Sequence, residues 1–303
     1  KNLAVKNRYG TDELSLTTGL PIVNAFGGGQ KGWASFGALI GIVSTLLIWV
    51  AASGAKTHDV CIDASIKKTK EKTTGKDISV LFKTKPLLLL IVAFGLSFLA
   101  NTLLNSANMY YFKYVLHKEN WIPTVMFVTM SASILASMVL PKLEAKFGKR
   151  NLFMYTSILC AIPLFIIGFM PTMGMVGLSV LLVVFGFFYG LVSALPWAMV
   201  PDCIDFAQWK YGVQPNGLFT ATFTFIQKCA TAIGGFLSGI LLGFAGFIAN
   251  QEQSAQALQM IINLRFFIPA VLFVLTILAL YFYEITPKKT KEIAAELEKR
   301  NNN

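Results

Sequence analysis

Between Asn151 and Pro201 the chain runs 51 residues without an Asp, Glu, Lys, Arg or His. A second run, Tyr211 to Gln251, carries a single charge, Lys228. A bilayer demands runs of this kind, because about 20 helical residues at roughly 1.5 Å rise cross its ~30 Å apolar layer. The remaining sequence agrees. Of 303 residues, 55% are hydrophobic and 14% charged, against roughly 25% charged in soluble domains. A disordered chain is excluded, and too little polar sequence remains to coat a water-soluble core.

Seven segments are predicted to cross a membrane: 32–55, 86–112, 122–141, 151–170, 175–200, 217–248 and 266–283. Pro171 to Gly174 divides the longest charge-free run into two spans. The 217–248 segment exceeds what a bilayer needs, so it should tilt or protrude. All seven are too long for barrel strands and lack two-residue alternation. Backbone groups in lipid must be satisfied within their own segment, which leaves helices. The predicted fold class is an all-α membrane protein with seven transmembrane helices.

The connections alternate in charge. Residues 56–85 carry eight lysines, and 142–150 add Lys142, Lys146, Lys149 and Arg150. Lys210 and five basic residues after Tyr283 fall on the same side, whereas the opposite side offers Lys118 and Arg265, with Lys113 near a helix end. Basic connections stay cytoplasmic. This predicts a multi-pass protein of the inner or plasma membrane, with its amino end outside and its carboxyl end cytoplasmic. The net charge of +11 follows from that topology and calls for no nucleic acid. Lipid is the expected neighbour. Residue 1 is Lys, and residues 1–31 hold no signal-peptide core. Four basic residues there would lie on the wrong side, and the span count is odd. The expectation is that earlier helices are missing from this chain.

Lys228 lies about 11 residues, or roughly 16 Å, into the sixth span. A cation at such depth is costly, so it either pairs to lock two helices or borders a ligand or ion pathway. Thr224 and Thr231 share its helix face. Gly235, Gly239 and Gly243 form a small-residue stripe, predicted to pack closely on another helix. In the second span Ser97, Asn101, Asn105 and Asn108 form one polar stripe, read either as interhelical glue or as the lining of an aqueous path. Tyr110 and Tyr111 follow, as an interfacial belt or a sugar-stacking pair. Pro196 and Pro201 flank Trp197 and should break or kink the fifth helix. Asp202, Asp205, Lys210 and Arg150 are read as salt bridges closing a cytoplasmic gate.

Cys61, Cys160, Cys203 and Cys229 show no paired spacing and read as small core residues. His58 and His117 fall in loops. No phosphate-binding loop, nucleophile elbow or metalloprotease motif is present, and two aspartates are too few for a metal site. Neither an enzyme nor a bound cofactor is expected.

The stretch LPWAMVPDCIDFAQWKYG (195–212), with FTFIQKCATAIGG (223–235) after it, resembles the glycoside–pentoside–hexuronide:cation symporters, the melibiose-permease branch of the major facilitator superfamily. YYFKYV (110–115) and INLRFFIPA (262–270) fit as well. The resemblance implies that the seven spans are helices VI to XII of a twelve-helix fold. Residues 1–31 would be an extracytoplasmic remnant and 32–55 the last helix of the N-terminal bundle. A basic central loop (56–85), a C-terminal six-helix bundle (86–285) and a cytoplasmic tail (286–303) would follow. It also implies cation-coupled symport of a sugar or glycoside by alternating access. Lys228 and Thr224 match cavity positions, and Ser193 stands where a sugar-facing Trp is expected, with Trp197 one turn on. The Na⁺ or H⁺ site is expected in the missing N-terminal half, since no Asp or Glu lies inside a predicted span. A seven-helix receptor or retinal protein fits on span count alone, and a channel or non-transporting scaffold is the other alternative.

Overall fold

The computed structural model describes residues 26–27, 29–56, 75–213 and 215–301. Most of the predicted 1–31 segment lies outside the described residues, as does most of the basic loop, with Lys67, Lys68, Lys70, Lys72, His58 and Cys61. Two compact units are formed, Lys1–Lys72 and Thr73–Asn303. The described part of the first is essentially one helix, α1 (Gly29–Lys56), long and apolar enough to span a bilayer.

The second unit contains α2 (Gly75–Lys83), α3 (Lys85–Val115), α4 (Ile122–Phe147), α5 (Lys149–Phe169), α6 (Met175–Tyr211), α7 (Asn216–Phe244), α8 (Ala255–Tyr281) and α9 (Pro287–Asn301). Among the described residues there is no strand, and α1 with α3–α8 makes seven helices that meet the length and apolarity of a membrane span. The all-α expectation holds. Local signals set the boundaries. Pro86 and Pro123 sit in first turns, where the missing N–H costs nothing. Gly148 (φ 75°) separates α4 from α5, and Gly212 (φ 71°) stops α6 in the left-handed conformation.

α6 packs between α4 and α5, α8 between α5 and α3, and α7 against α3. Fully buried aromatics, among them Tyr111, Phe153, Phe219, Phe266 and Phe273, fill the contacts between helices. Phe127, Met138, Phe169 and Phe236 point outward. Large apolar side chains on both sides of a helix are normal where the solvent is lipid.

α4 and α6 approach closely. A Cβ on Gly186 would stand 2.6 Å from the Thr129 carbonyl oxygen, and one on Gly190 2.6 Å from that of Ser133. Ser133 Oγ donates to the Gly186 carbonyl at 2.7 Å across this crossing. These two glycines fix how near α6 comes to α4, and hence the walls of the cavity described below.

Four expectations change. Pro196 and Pro201 do not break α6, which is continuous over 37 residues; the buried neighbours Leu195, Met199 and Cys203 pack it on either side of the lost hydrogen bonds. A Cβ on Gly235, Gly239 or Gly243 would meet nothing within 4 Å, whereas one on Gly234 would stand 2.7 Å from the Thr102 methyl, so the close contact of α7 uses the adjacent face. The last span starts at Ala255, not Phe266, capped by Ser254, whose Oγ accepts from Ala257 N. The tail helix α9 is not wholly solvated: Ile293 is buried, and Trp209 Nε1 donates to Glu296.

Gly186→Ala and Gly190→Ala should each destabilise the bundle by about 1–3 kcal/mol through backbone overlap. Gly177→Ala in the same helix meets only the Met173 sulfur, at 3.7 Å, and should be neutral or slightly stabilising. Thermal unfolding in detergent compares the three.

Candidate functional site

α3, α4, α6 and α8 line an open cavity of about 370 Å³. From α3 come Asn101, Asn105 and Asn108, spaced so that they share one face. Asn105 Nδ2 donates to Asn101 Oδ1 and to its carbonyl, both at 2.9 Å. α4 supplies Thr129 and Ser133 among apolar neighbours, and α6 supplies Leu182, Phe185 and Tyr189. The Phe185 and Tyr189 rings stack at 5.7 Å. Ser97, first in the stripe, is not part of this wall. It is buried beside Thr276, with hydroxyl oxygens 3.3 Å apart, and ties α3 to α8.

Arg265 of α8 completes the wall. It is 2% exposed. Its Nη1 donates to the Leu104 carbonyl at 3.1 Å, one of the last-turn carbonyls that the helix Lys85–Ser106 leaves without an internal donor. Its Cζ lies 5.3, 5.5 and 5.2 Å from the ring centres of Tyr111, Phe112 and Phe266. Tyr111 is anchored in turn, donating its OH to the Pro171 carbonyl at 2.5 Å. Both helices carry a π-turn here, Tyr111–Val115 and Asn263–Phe267, a local widening that recurs at functional sites. Arg265 Nε and Asn108 Oδ1 are buried without a hydrogen-bond partner.

The other predicted substrate residues lie apart from this cavity. Trp197, 41% exposed, packs edge-on against Phe94 and close to Phe223, joining α6 to α3 and α7. Lys228 and Thr224 are exposed, one turn apart on α7. Thr224 returns its hydroxyl to the Thr220 carbonyl, and Lys228 makes no ion pair among the described residues. Tyr110 packs its ring on Phe247 at 5.0 Å, outside the cavity wall.

At the basic end of the bundle Asp202 pairs with Lys149 at 2.8 Å, and Lys149 also reaches Glu144 at 3.6 Å. Arg150 does not join this pair. It donates to the carbonyls of Leu280 and Tyr281, closing the C-terminus of α8. Lys210 lies over the rings of Phe206 and Tyr211. Arg150, Lys149, Asp202 and Glu144 share a hollow of about 340 Å³ that does not include Asp205 or Lys210.

Sequence reasoning missed Arg265 and Lys149. Composition alone places Arg265 with the charges between spans. The signal for it was the run Ser254-Ala-Gln-Ala-Leu upstream, a helix cap leading into apolar residues that carries the span past the arginine.

Residues 14–287 match the profile of the family described as MFS/sugar transport protein. The chain belongs to that family. It is similar to the isoprimeverose transporter of Lactiplantibacillus pentosus, 27% identical over 94% of this chain and 59% of the relative. It is also similar to the glucuronide carrier protein homolog of Escherichia coli (strain K12), 23% identical over 86% of this chain and 58% of the relative. The uncharacterized symporter YnaJ of Bacillus subtilis (strain 168) is 27% identical over 91% and 58%. The chain thus spans about three fifths of the length of these relatives. Family membership and seven span-length apolar helices make it a multi-pass integral membrane protein of the MFS sugar-transport family.

Lys149→Ala should cost about 1–3 kcal/mol, because the side chain of Asp202, 12% exposed, then loses its partner. Glu144→Ala removes a longer, more exposed contact and should cost about 0–1 kcal/mol. Thermal melts of the two variants separate these cases.

Proposed function

We propose that the chain is part of a secondary transporter that carries a sugar or glycoside together with Na⁺ or H⁺ by alternating access. In this reading 32–55 closes one bundle, 56–85 links it to the next, and 86–285 forms the second. The tail, 286–303, lies in the cytoplasm.

The observation that carries the reading is the pocket between four spans, apolar over most of its lining with one wall of asparagines. Three asparagines on α3 offer donors and acceptors to hydroxyl groups, Thr129 and Ser133 on α4 offer acceptors beside the bonds they donate to Val125 and Gly186, and Leu182 and Phe185 face C–H surfaces. A binding site of this composition within the apolar layer is what carriers place between their bundles. The names of the relatives, an isoprimeverose transporter and a glucuronide carrier homolog, support a cargo of the sugar class.

Lys228 is assigned to the passage between bundles, where its exposed ammonium meets water, cargo hydroxyls and a carboxylate of the facing bundle. Trp197 and Thr224 line the same passage. The coupling-cation site is assigned outside these seven spans, whose interior holds no carboxylate. The Lys149–Asp202 pair, with Asp205, Lys210 and Arg150 nearby in sequence, belongs to the cytoplasmic closure.

In the intact protein Lys228→Val should abolish concentrative uptake while membrane insertion stays normal. Unimpaired accumulation of cargo in vesicles bearing an imposed Na⁺ or H⁺ gradient would refute that role. Asn105→Ala should weaken cargo binding about three- to tenfold, read as a rise in KM.

A further inference from the structure

We propose that the widened turns of α3 and α8 form one hinge, held at Arg265, and that the two helix ends beyond it swing together as a flap at that end of the cavity. The hinge is a property of the bundle and is independent of the cargo.

Both helices widen at the same level. In α3 the Leu116 N–H reaches back five residues to the Tyr111 carbonyl, at 3.1 Å. In α8 the Ile268 N–H reaches back five residues to that of Asn263. The cause in α8 is Pro269, which stands in the interior of the helix. It offers no N–H to the Arg265 carbonyl four residues back, and its ring crowds that carbonyl. The turn before it widens in response. Widened turns are among the few places where a helix bends sharply.

The hinge line is anchored to the body of the bundle. Arg265, inside the α8 turn, bonds the Leu104 carbonyl of α3 at 3.1 Å and lies against the Tyr111 and Phe112 rings of the α3 turn. Tyr111 donates to the Pro171 carbonyl. Phe267 packs on Phe169 at 5.1 Å, and a Cβ on Gly168 would stand 3.0 Å from its ring. The hinge is therefore level with the turn between α5 and α6. Toward the basic end, α3 and α8 are tied again at Ser97 and Thr276.

Beyond the hinge the two helix ends are joined to each other. Phe247, in the turn between α7 and α8, is held edge-on by Tyr110 at 5.0 Å and Tyr114 at 5.3 Å. Asn250, in the left-handed conformation (φ 62°), donates its N–H to the Tyr114 hydroxyl at 2.9 Å and accepts from Lys113 Nζ at 3.1 Å. An open hollow of about 680 Å³ otherwise lies between the α3 end, at His117 and Glu119, and the start of α8 at Leu258. The ends are thus coupled to each other at Asn250 and to the body at Arg265, so a bend in one helix requires a bend in the other. Arg265 and Asn108 line the cavity, and a bend at this level changes its width.

Hydrogen exchange of the intact protein in phosphatidylcholine nanodiscs tests this. Pro269→Ala supplies the N–H that the Arg265 carbonyl lacks, and the α8 turn should stiffen. Exchange should slow about three- to tenfold in 262–268, the effect of one backbone hydrogen bond. It should slow by a similar factor in 111–118 of α3, which the substitution does not touch. Exchange in 87–104 and 271–281 should stay within about twofold of the unmodified protein. Lys113→Met with Tyr114→Phe removes both bonds to Asn250 and should speed exchange in 111–118 and 262–268 alike. This double variant carries the test alone if Pro269→Ala does not fold.

Slowing confined to 262–268, or slowing in neither segment, overturns the hinge. So does a double variant whose effect stays within α3. A change that spreads to 87–104 belongs to the whole bundle and also overturns it. Each of these outcomes leaves the carrier reading standing.

Discussion

Inside an apolar layer a polar group finds its partners within the protein or not at all, and this sorts the side chains of the bundle into two kinds. Hydroxyls bond the carbonyl one turn back. Thr102 reaches Phe98, Thr129 Val125, Thr156 Leu152, Ser157 Phe153, Thr222 Leu218 and Ser238 Gly234. Each is satisfied by its own helix and asks nothing of its neighbours. Amides and guanidinium groups have more donors and acceptors than one carbonyl can absorb. Among the described residues the two buried side-chain atoms left over belong to Asn108 and Arg265. Both line one cavity. The unsatisfied polar chemistry of the described bundle is thereby concentrated at a single place.

The fold was legible because charge is excluded from spans by a large margin. The long charge-free run of 151–201 and its near-twin fixed helices and their approximate ends without any finer signal. Arg265 shows the weakness of the same rule. Charge marks a boundary only when the charged group reaches water, and this one is buried inside α8 at 2% exposure. The prolines of α6 show a related limit. Propensity describes an isolated helix, and α6 is held between α4 and α5, whose contacts outlast the loss of two backbone bonds. In the asparagine stripe, spacing placed four residues on one face, but it could not tell that Ser97 would meet Thr276 and leave the cavity to the other three.

Lys149 and Arg150 make the point at the level of one residue. Adjacent positions on a helix point about 100° apart. At the start of α5 that rotation sends Lys149 to Asp202 on α6 and Arg150 to the last carbonyls of α8. Both are cations, both follow Gly148, and composition gives no reason to prefer one as the ion-pair partner. The choice depends on the phase at which α5 leaves the Gly148 turn, a backbone quantity (φ 75° at that glycine) that no side-chain pattern records. Arg150 suits carbonyl capping because its planar fork reaches two acceptors at once.

α6 connects the two polar regions. Tyr189 faces the cavity and Asp202 holds the ion pair, 13 residues or about 20 Å apart along one uninterrupted helix. Pro196 and Pro201 both fall between them. Their missing N–H groups leave the carbonyls of Val192 and Trp197 without the usual partner four residues on. The stretch of α6 least braced by its own backbone therefore lies between the cavity and the ion pair, and Trp197, packed against Phe94 and Phe223, sits in the middle of it. Side-chain packing from α3 and α7 substitutes there for backbone bonding, so the geometry of α6 between its two polar ends is set by its neighbours. A helix with a full complement of hydrogen bonds would resist bending at that point by its own backbone; here the resistance comes from packing.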